Sequence, residues 1–328
     1  MQKYLIKRIF YASLMLVLVS IASFTIIQLP PGDFVDNMSA NLASEGQVLD
    51  KETLASMRAQ YGLDKPIYVQ YLIWISGVFQ GDFGFSFYHE KKVEDLIFEV
   101  LGMTLVISLF AIIFTYMVAI PIGIVSAVHQ YSILDYCFTF IGFIGLAIPD
   151  FLLALVLMYV GFEFFDMSVG GLFSKEFITA AWSWEKFVDM MKHIWIPVII
   201  IGTAGTAAIV RVMRASLLDE LGRQYVQTAR AKGLHEVKLI VKYPVRIAIN
   251  PIISTIAWIL PQIISGTLVV SIVMALPTTG SLLLNSLRSQ DMYLAGSLIM
   301  LLSVLTVLGT LISDILLGLI NPRIKMDK

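Results

Sequence analysis

The sequence contains little charge, one cysteine and few histidines, and each scarcity excludes a class of protein. Only 14% of its 328 residues are charged, whereas a typical soluble domain has roughly 25%. The single cysteine, Cys137, excludes an internal disulfide and any zinc site built from several cysteines. The four histidines lack metal-ligand spacing, so we expect no metal site. Nothing in the sequence is typical of a nucleic-acid-binding protein.

The chain also lacks the residues that bind and hydrolyse ATP. A phosphate-binding loop of the form Gly-x-x-x-x-Gly-Lys-Ser/Thr occurs nowhere in it. The long apolar runs contain no paired nucleophile and base of the kind that catalysis needs. We therefore expect that the chain is not an enzyme and binds no cofactor of its own.

Apolar residues are abundant, at 58% of the chain. A water-soluble fold of this size cannot bury so much apolar surface, so lipid must cover part of it. A spanning helix needs about 20 apolar residues, and six runs meet that length: residues 9–29, 102–128, 134–164, 194–213, 245–276 and 293–320. We predict an all-α integral membrane protein with about six transmembrane helices. The third and fifth contain Pro149, and Pro251 with Pro261, so we expect them to be tilted or broken.

Basic residues are sorted along the chain and predict its orientation. They cluster at both termini and between residues 211 and 246, whereas residues 33–100 hold five basic and eleven acidic residues. The positive-inside rule then places both termini and the 211–246 loop in the cytoplasm. The predicted organisation is an N-terminal transmembrane helix (1–30), a small extracytoplasmic helical segment (31–100) and a core membrane domain (101–328).

The most informative stretch is residues 214–234, RASLLDELGRQYVQTARAKGL. It predicts a short helix flanked by glycines, with Gly233 in the left-handed conformation that ends a helix. Small and basic side chains provide close approach and positive charge to a partner: Thr228, Ala229, Ala231, Arg230 and Lys232. By composition alone, the loop fits either a coupler to a cytosolic protein or a basic loop held on anionic lipid.

This stretch resembles, nearly residue by residue, the coupling-loop signature of bacterial ABC importer permeases of the dipeptide/oligopeptide (binding-protein-dependent) permease family. Three further blocks are similar to the same family. They are residues 31–33 (PGD), residues 61–72 followed by 81–86 (GDFGFS), and the ending at residues 321–324 (NPRI). The resemblance therefore covers nearly the whole chain.

The resemblance implies the ABC importer permease fold, with a cytoplasmic coupling loop at residues 214–243 that docks on an ATPase. The docking residues that it implies are Tyr225, Gln227, Thr228, Ala229, Arg230, Ala231, Lys232, Gly233 and Leu234. It further implies two cytosolic ATPase subunits or domains that use ATP and Mg²⁺, a second homologous permease subunit and an extracytoplasmic solute-binding protein. The chain would be a multi-pass protein in the lipid of the bacterial plasma (inner) membrane, forming half of a translocation path.

Two further segments are candidates for contact with the solute or its receptor. Asp150 follows Pro149 near the middle of the third span, where a carboxylate costs a few kcal/mol unless it faces protein or water. It lines the translocation path with Pro149, or is hydrogen-bonded to a neighbouring helix, or is displaced from the bilayer centre because the helix is tilted. The second segment is a predicted outer gate or receptor-facing loop at Pro277, Thr278, Thr279 and Gly280. It departs from the pattern of peptide-type family members, which leaves an oligopeptide and an oligosaccharide both open as the solute.

The main alternative is an ion-gradient-driven secondary transporter. Such a protein is expected to repeat its broken helices and charged residues in two halves, and the two halves of this chain show no such symmetry. The alternative also gives no reason for residues 225–234. Dependence of transport on ATP or on an ion gradient distinguishes the two.

Overall fold

A computed structural model describes residues 2–165 and 170–320. These residues form fourteen α-helices and one two-stranded hairpin. Four helices are long and apolar enough to cross a membrane, or six spans are present when each of two bent helix pairs counts as one. The predicted all-α membrane fold with about six spans is thereby confirmed. The predicted ending at residues 321–324 lies outside the described residues.

The chain divides into two compact units. The first consists of Met1–Thr104 and Pro277–Val307, and the second of Leu105–Leu276 and Leu308–Lys328. Two long helices, α5 (Val93–Val128) and α14 (Met292–Ile320), contribute residues to both units. The predicted segment boundaries at residues 30 and 100 divide the chain by sequence and are not limits of these compact units. They stay a prediction.

The first unit contains the N-terminal helix, three short helices, the hairpin and a helix near residue 280. Their bounds are α1 (Gln2–Ile27), α2 (Phe34–Ser44), α3 (Lys51–Tyr61), α4 (Ile67–Phe79), β1 (Phe85–Ser86), β2 (Lys91–Lys92) and α13 (Thr279–Arg288). The strands β1 and β2 pair antiparallel, with Phe85 opposite Lys92. Because α2, α3 and α4 follow α1 directly, the predicted helical segment after the first span is confirmed.

The core of the first unit forms where α1, α4 and α14 meet. The rings of Phe24 and Trp74 stack with their centroids 5.5 Å apart, and Trp74 Nε1 donates to Ser297 Oγ at 3.2 Å. Gly296 allows this approach, because a Cβ there would lie 3.3 Å from the Trp74 ring. Helix α4 is apolar but too short to span a bilayer; it buries Trp74 against its neighbours instead.

The hairpin is fastened to the beginning of α14 by one buried carboxylate. Asp291 accepts hydrogen bonds from Ser86 Oγ at 2.6 Å and from the Tyr88 backbone N–H at 3.2 Å. It also accepts a longer one from the Leu294 backbone N–H at 3.4 Å. The same side chain therefore caps α14 and positions the hairpin.

The second unit is built around a central helix. Its elements are α6 (Ile133–Ala147), α7 (Asp150–Phe165), α8 (Trp184–His193), α9 (Trp195–Leu221), α10 (Gln224–Ala231), α11 (Glu236–Lys242) and α12 (Pro244–Val273). Helix α9 packs most extensively against α12 and also contacts α6 and α7. It continues to Leu221, past the predicted end of the fourth span at residue 213.

Glycines let two helices approach α9 closely. A Cβ at Gly123 of α5 would lie 2.6 Å from Met213 Cβ, and one at Gly145 of α6 would lie 2.8 Å from Thr203 Cγ2. Real Cβ atoms do not approach so closely, so any larger residue must push the helices apart. These glycines therefore bring α5 and α6 into close contact with α9.

Candidate coupling surface and translocation site

The predicted short helix of the 214–243 loop is present as α10. Helix α9 ends at Leu221 with Gly222 as its C-cap, Arg223 has extended backbone, and α10 begins at Gln224. Gly233 follows with a φ of +74°, the left-handed conformation expected of a glycine that ends a helix. Its backbone N–H donates to the Arg230 carbonyl at 3.0 Å. The local structure predicted from the sequence is therefore confirmed.

One face of α10 packs against the chain itself. Val226 and Ala229, three residues apart, are buried, and the Tyr225 hydroxyl donates to the Glu220 carboxylate near the end of α9. Burial, together with this hydrogen bond, raises the pKa of Tyr225 to about 12, so its hydroxyl stays protonated at neutral pH and remains a donor. Tyr225 and Ala229 therefore hold α10 in place, and the contact with a partner that the resemblance implies for them stays a prediction.

The opposite face of α10 is open to a partner. Gln224, Gln227, Thr228 and Ala231 are all exposed and recur at the i, i+3, i+4, i+7 spacing of one helix face. We call these four residues the docking face. Lys232 and Gly233 extend it, and Leu234 is half-buried. Gln224 is absent from the predicted set, although the helical period counted back from Gln227 and Thr228 points to it.

An ion pair closes the turn between α10 and α11. Arg230 Nε donates to Glu236 Oε2 at 3.1 Å, and the Arg230 Nη2 group contacts the other carboxylate oxygen. Both side chains are about half exposed, so the pair adds little stability. Its two parallel contacts nevertheless favour one angle between α10 and α11 across Gly233.

An ion pair between half-buried Arg214 and buried Asp135 ties α9 to the beginning of α6. Arg214 Nε donates to Asp135 Oδ1 at 2.9 Å, and Arg214 Nη2 donates to Oδ2 at 2.8 Å. The backbone N–H of Tyr131 donates to the same carboxylate at 3.0 Å. Arg214 is the first residue of the 214–234 motif, so the motif begins with an anchor to α6. The sequence offers no signal for Asp135, because only the fold brings it to Arg214.

Asp150 lies at a sharp break in the membrane bundle. The axes of α6 and α7 differ by 105°, and Asp150 is the first residue of α7. Its carboxylate is half-buried and makes no hydrogen bond or ion pair with any residue in 2–165 or 170–320. The partial positive charge of the helix N-terminus favours the carboxylate there. The broken span predicted from Pro149 is thus found, whereas α12 continues through Pro251.

Of the predicted outer loop at residues 277–280, Pro277 and Thr278 lie in a loop, whereas Thr279 and Gly280 begin a helix; the gate or receptor-facing role stays a prediction. Helix α13 begins at Thr279, and the Thr279 backbone N–H donates to Thr104 Oγ1 at 2.9 Å. Thr278 and Thr279 are both buried, whereas Pro277 is exposed. The Thr279 hydroxyl oxygen also lies 3.2 Å from Thr104 Oγ1, so this hydroxyl is turned inward.

Comparison with known proteins agrees with this architecture. The profile of the family described as binding-protein-dependent transport system inner membrane component matches residues 119–326. A second profile, described as the N-terminal part of such membrane components, matches residues 1–109. Both ends of the chain therefore resemble the same class of membrane protein.

Curated relatives are similar along almost their whole length. The oligopeptide transport system permease protein AppB of Bacillus subtilis is 35% identical over 327 residues, which is 99% of this chain and 100% of the relative. The oligopeptide permease protein OppB of Haemophilus influenzae is 31% identical over 326 residues, 99% of this chain and 100% of the relative. The dipeptide permease protein DppB of Escherichia coli is 29% identical over 327 residues, 94% of this chain and 95% of the relative.

Proposed function

The chain belongs to the family of binding-protein-dependent transport system inner membrane components, and on that premise we propose that α10 couples a cytosolic ATPase to the membrane helices. The chain is a multi-pass inner-membrane permease subunit of an ATP-driven ABC importer, not an enzyme. The ion-gradient-driven alternative finds no support among the relatives.

The observation that carries the coupling proposal is the division of α10 into two faces. Its docking face is exposed, whereas Val226 and Ala229 on the other face are buried. Contacts at both ends hold the helix, through Tyr225 to Glu220 and through Arg230 to Glu236. A short helix that is fixed at both ends moves as a rigid body. Movement of a docked ATPase would therefore displace α10 and, with it, the end of α9.

From α9 the movement has two routes into the bundle. The Arg214–Asp135 pair links the last turns of α9 to the beginning of α6. Close packing at Gly145 links the same two helices further along. Helix α6 ends just before Pro149, so displacement of α9 would change the break at which Asp150 lies.

Asp150 is proposed to line the translocation path, with Pro149 creating the break. An ionised carboxylate cannot face lipid without a partner, and no described residue supplies one. Water in a path, or a facing second permease subunit, would satisfy it. The free N-terminus of α7 resembles the half-helix ends that line solute sites in membrane transporters.

An oligopeptide is the proposed solute, delivered by an extracytoplasmic binding protein. The relatives described above carry names that refer to oligopeptide and dipeptide transport. A carboxylate at Asp150 would attract the positively charged amino group of a peptide, which an uncharged oligosaccharide lacks. ATP and Mg²⁺ would act in the two ATPase subunits or domains, since this chain has no phosphate-binding loop.

The proposed orientation has both termini and residues 214–243 in the cytoplasm, and residues 31–100 outside. The separation of basic from acidic segments supports it. The coupling role of α10 depends on this orientation, because the ATPases are cytosolic.

Two single-cysteine variants test docking and orientation together. In a background with Cys137→Ser, Ala231→Cys places a thiol on the docking face, and Ala55→Cys places one on exposed α3. We expect Ala231→Cys to cross-link to the ATPase and to be protected from a membrane-impermeant thiol reagent in intact cells. Ala55→Cys should react with the reagent in intact cells and should not cross-link to the ATPase. Labelling of Ala231→Cys from outside would overturn the orientation, and its failure to cross-link in the assembled complex would overturn the docking.

A further inference from the structure

Helix α8, which directly precedes α9, turns apolar side chains outward. Trp184, Phe187, Val188 and Met191 follow the i, i+3, i+4, i+7 spacing of one helix face. Trp184 is 76% exposed, and its ring stacks on that of Phe187 with the centroids 5.4 Å apart. The first three are exposed and Met191 is half-exposed. These four residues are named the aromatic face of α8.

The opposite face of α8 is polar and buried. Lys186, Asp189 and His193 lie on it, and all three are buried. Lys186 Nζ donates to the Ala180 carbonyl at 2.6 Å and lies 4.9 Å from the centre of the Phe173 ring. The His193 ring Nδ1 lies 2.8 Å from the Asp189 carbonyl oxygen.

The chain before α8 satisfies the Asp189 carboxylate. The backbone N–H and the hydroxyl of Ser174 donate to the two Asp189 carboxylate oxygens at 2.7 and 2.6 Å. The polar side of α8 is thus bound to the segment that leads into it. The usual arrangement of a surface helix in water, with its polar face outward, is inverted here.

The position of α8 in the chain indicates what covers its aromatic face. Only Ile194 separates α8 from α9, whose candidate membrane span begins at Trp195. The face therefore begins where the hydrocarbon region ends. Tryptophan and phenylalanine are enriched at this boundary, and exposed Glu185 and Lys192 lie along one edge of the face, where headgroups would accommodate charge.

We propose that α8 is an interfacial helix whose aromatic face inserts among the lipid headgroups and the upper acyl chains. Its buried Lys186, Asp189 and His193 hold it to the preceding segment, so the bilayer boundary sets the height of the beginning of α9. This role is separate from coupling at α10 and does not depend on it.

Tryptophan quenching tests the proposal directly. The chain has five tryptophans; one variant keeps Trp184 and another keeps the buried Trp74 as a matched control, with phenylalanine at the other positions. Each is reconstituted as the whole transporter complex in bilayers with brominated phosphatidylcholine. We expect roughly half of the Trp184 emission to be lost, most strongly with bromine near the headgroup, and little loss for Trp74. Unquenched Trp184 would overturn the proposal, with red-shifted emission indicating water and blue-shifted emission indicating a covering protein.

Cysteine labelling on α8 gives an independent readout if the tryptophan variants fail to fold. In the Cys137→Ser background, Val188→Cys lies on the aromatic face and Lys192→Cys on its charged edge, and both positions are exposed. In a bilayer we expect an impermeant maleimide to react roughly tenfold more slowly at position 188 than at 192. Equal rates at the two positions would contradict insertion of the face into lipid.

Discussion

At the scale of single residues, Arg230 belongs to both the docking segment and an internal ion pair. Its guanidinium contacts both oxygens of the Glu236 carboxylate across the turn at Gly233. About half of the Arg230 side chain remains exposed. The pair contributes little to stability. Its value lies in fixing the direction in which α10 presents its docking face.

The variant Arg230→Glu should uncouple ATP hydrolysis from transport. It places one carboxylate at position 230, opposite that of Glu236 on the other side of the turn. The two carboxylates repel each other, and this repulsion changes the angle between α10 and α11. We expect transport to fall by about tenfold, while ATP hydrolysis by the assembled complex continues. Parallel assays of uptake and phosphate release measure this, and normal coupling in Arg230→Glu would contradict it.

The charge-swapped variant Arg230→Glu with Glu236→Arg is the matched control. It restores the ion pair with the charges exchanged, so we expect transport to recover. A swapped variant that remains uncoupled would mean that Arg230 contacts the ATPase itself, and the role assigned to the ion pair would be wrong.

A substitution at Asp150 tests the proposed path. Asp150→Asn keeps the size of the side chain and removes its charge, so attraction to a peptide amino group is lost. We expect the uptake rate or the apparent affinity to fall by about tenfold, which corresponds to 1.4 kcal/mol. Glu163→Gln, an exposed acid on the same helix α7, should leave uptake unchanged. Unaltered uptake by Asp150→Asn would remove Asp150 from the path.

Residue-scale predictions from the sequence succeeded where the signal was local. Gly233 was predictable because a glycine after a short helical run is typical of a left-handed helix end. Asp135 was missed because its partner Arg214 lies 79 residues away, and no pattern in one sequence connects the two. Glu236 was missed because the pairing depends on the turn that Gly233 forms.

At the scale of secondary-structure elements, the turn between α10 and α11 offers a clean test of docking. A Cβ at Gly233 would meet nothing within 4 Å of the chain itself. A side chain there therefore costs only the left-handed backbone conformation, about 1–2 kcal/mol. Any larger effect must come from a partner that approaches closely.

We expect Gly233→Val to uncouple the complex while the membrane fold stays intact. Gly62 ends α3 with a φ of +69°, and its Cβ position is equally empty. Gly62→Val therefore carries the same backbone cost without a partner at that site. Melting temperature, ATP hydrolysis and uptake should be compared for the two variants. Equal coupling in both would refute docking at Gly233.

The sequence predicted some helix breaks and helix N-termini correctly and others incorrectly. Pro149 signalled the break between α6 and α7, but Pro251 left α12 continuous, because surrounding helices can satisfy a freed carbonyl. Residues 277–280, which lie between the fifth and sixth predicted spans, were predicted to form an outer loop. Thr278 before a helical run with Leu282 and Leu283 buried is a typical N-cap pattern, so the signal was present in the sequence.

At the scale of the whole molecule, composition and hydropathy led to a membrane protein with about six spans. They did not separate an ATP-driven importer from an ion-driven transporter, since both contain polytopic helical bundles. The distinction came from the resemblance of residues 214–234 and from the relatives that match nearly the whole chain. The division into two units was not predictable, because residues 277–307 join the N-terminal segment only in three dimensions.

The permease role requires the chain to work inside a larger complex. The docking face of α10 is exposed, and Asp150 has no hydrogen-bond or ion-pair partner within residues 2–165 and 170–320. A second permease subunit and the ATPases are the partners proposed for them. We therefore expect no transport by the chain alone.

The most direct measurement is uptake of labelled oligopeptide by proteoliposomes containing the complex purified through this chain, together with its binding protein. Uptake should require ATP and Mg²⁺ and should persist when ionophores collapse every ion gradient. Uptake that proceeds without ATP and stops when the ion gradients are collapsed would contradict the assignment as the permease of an ATP-driven importer.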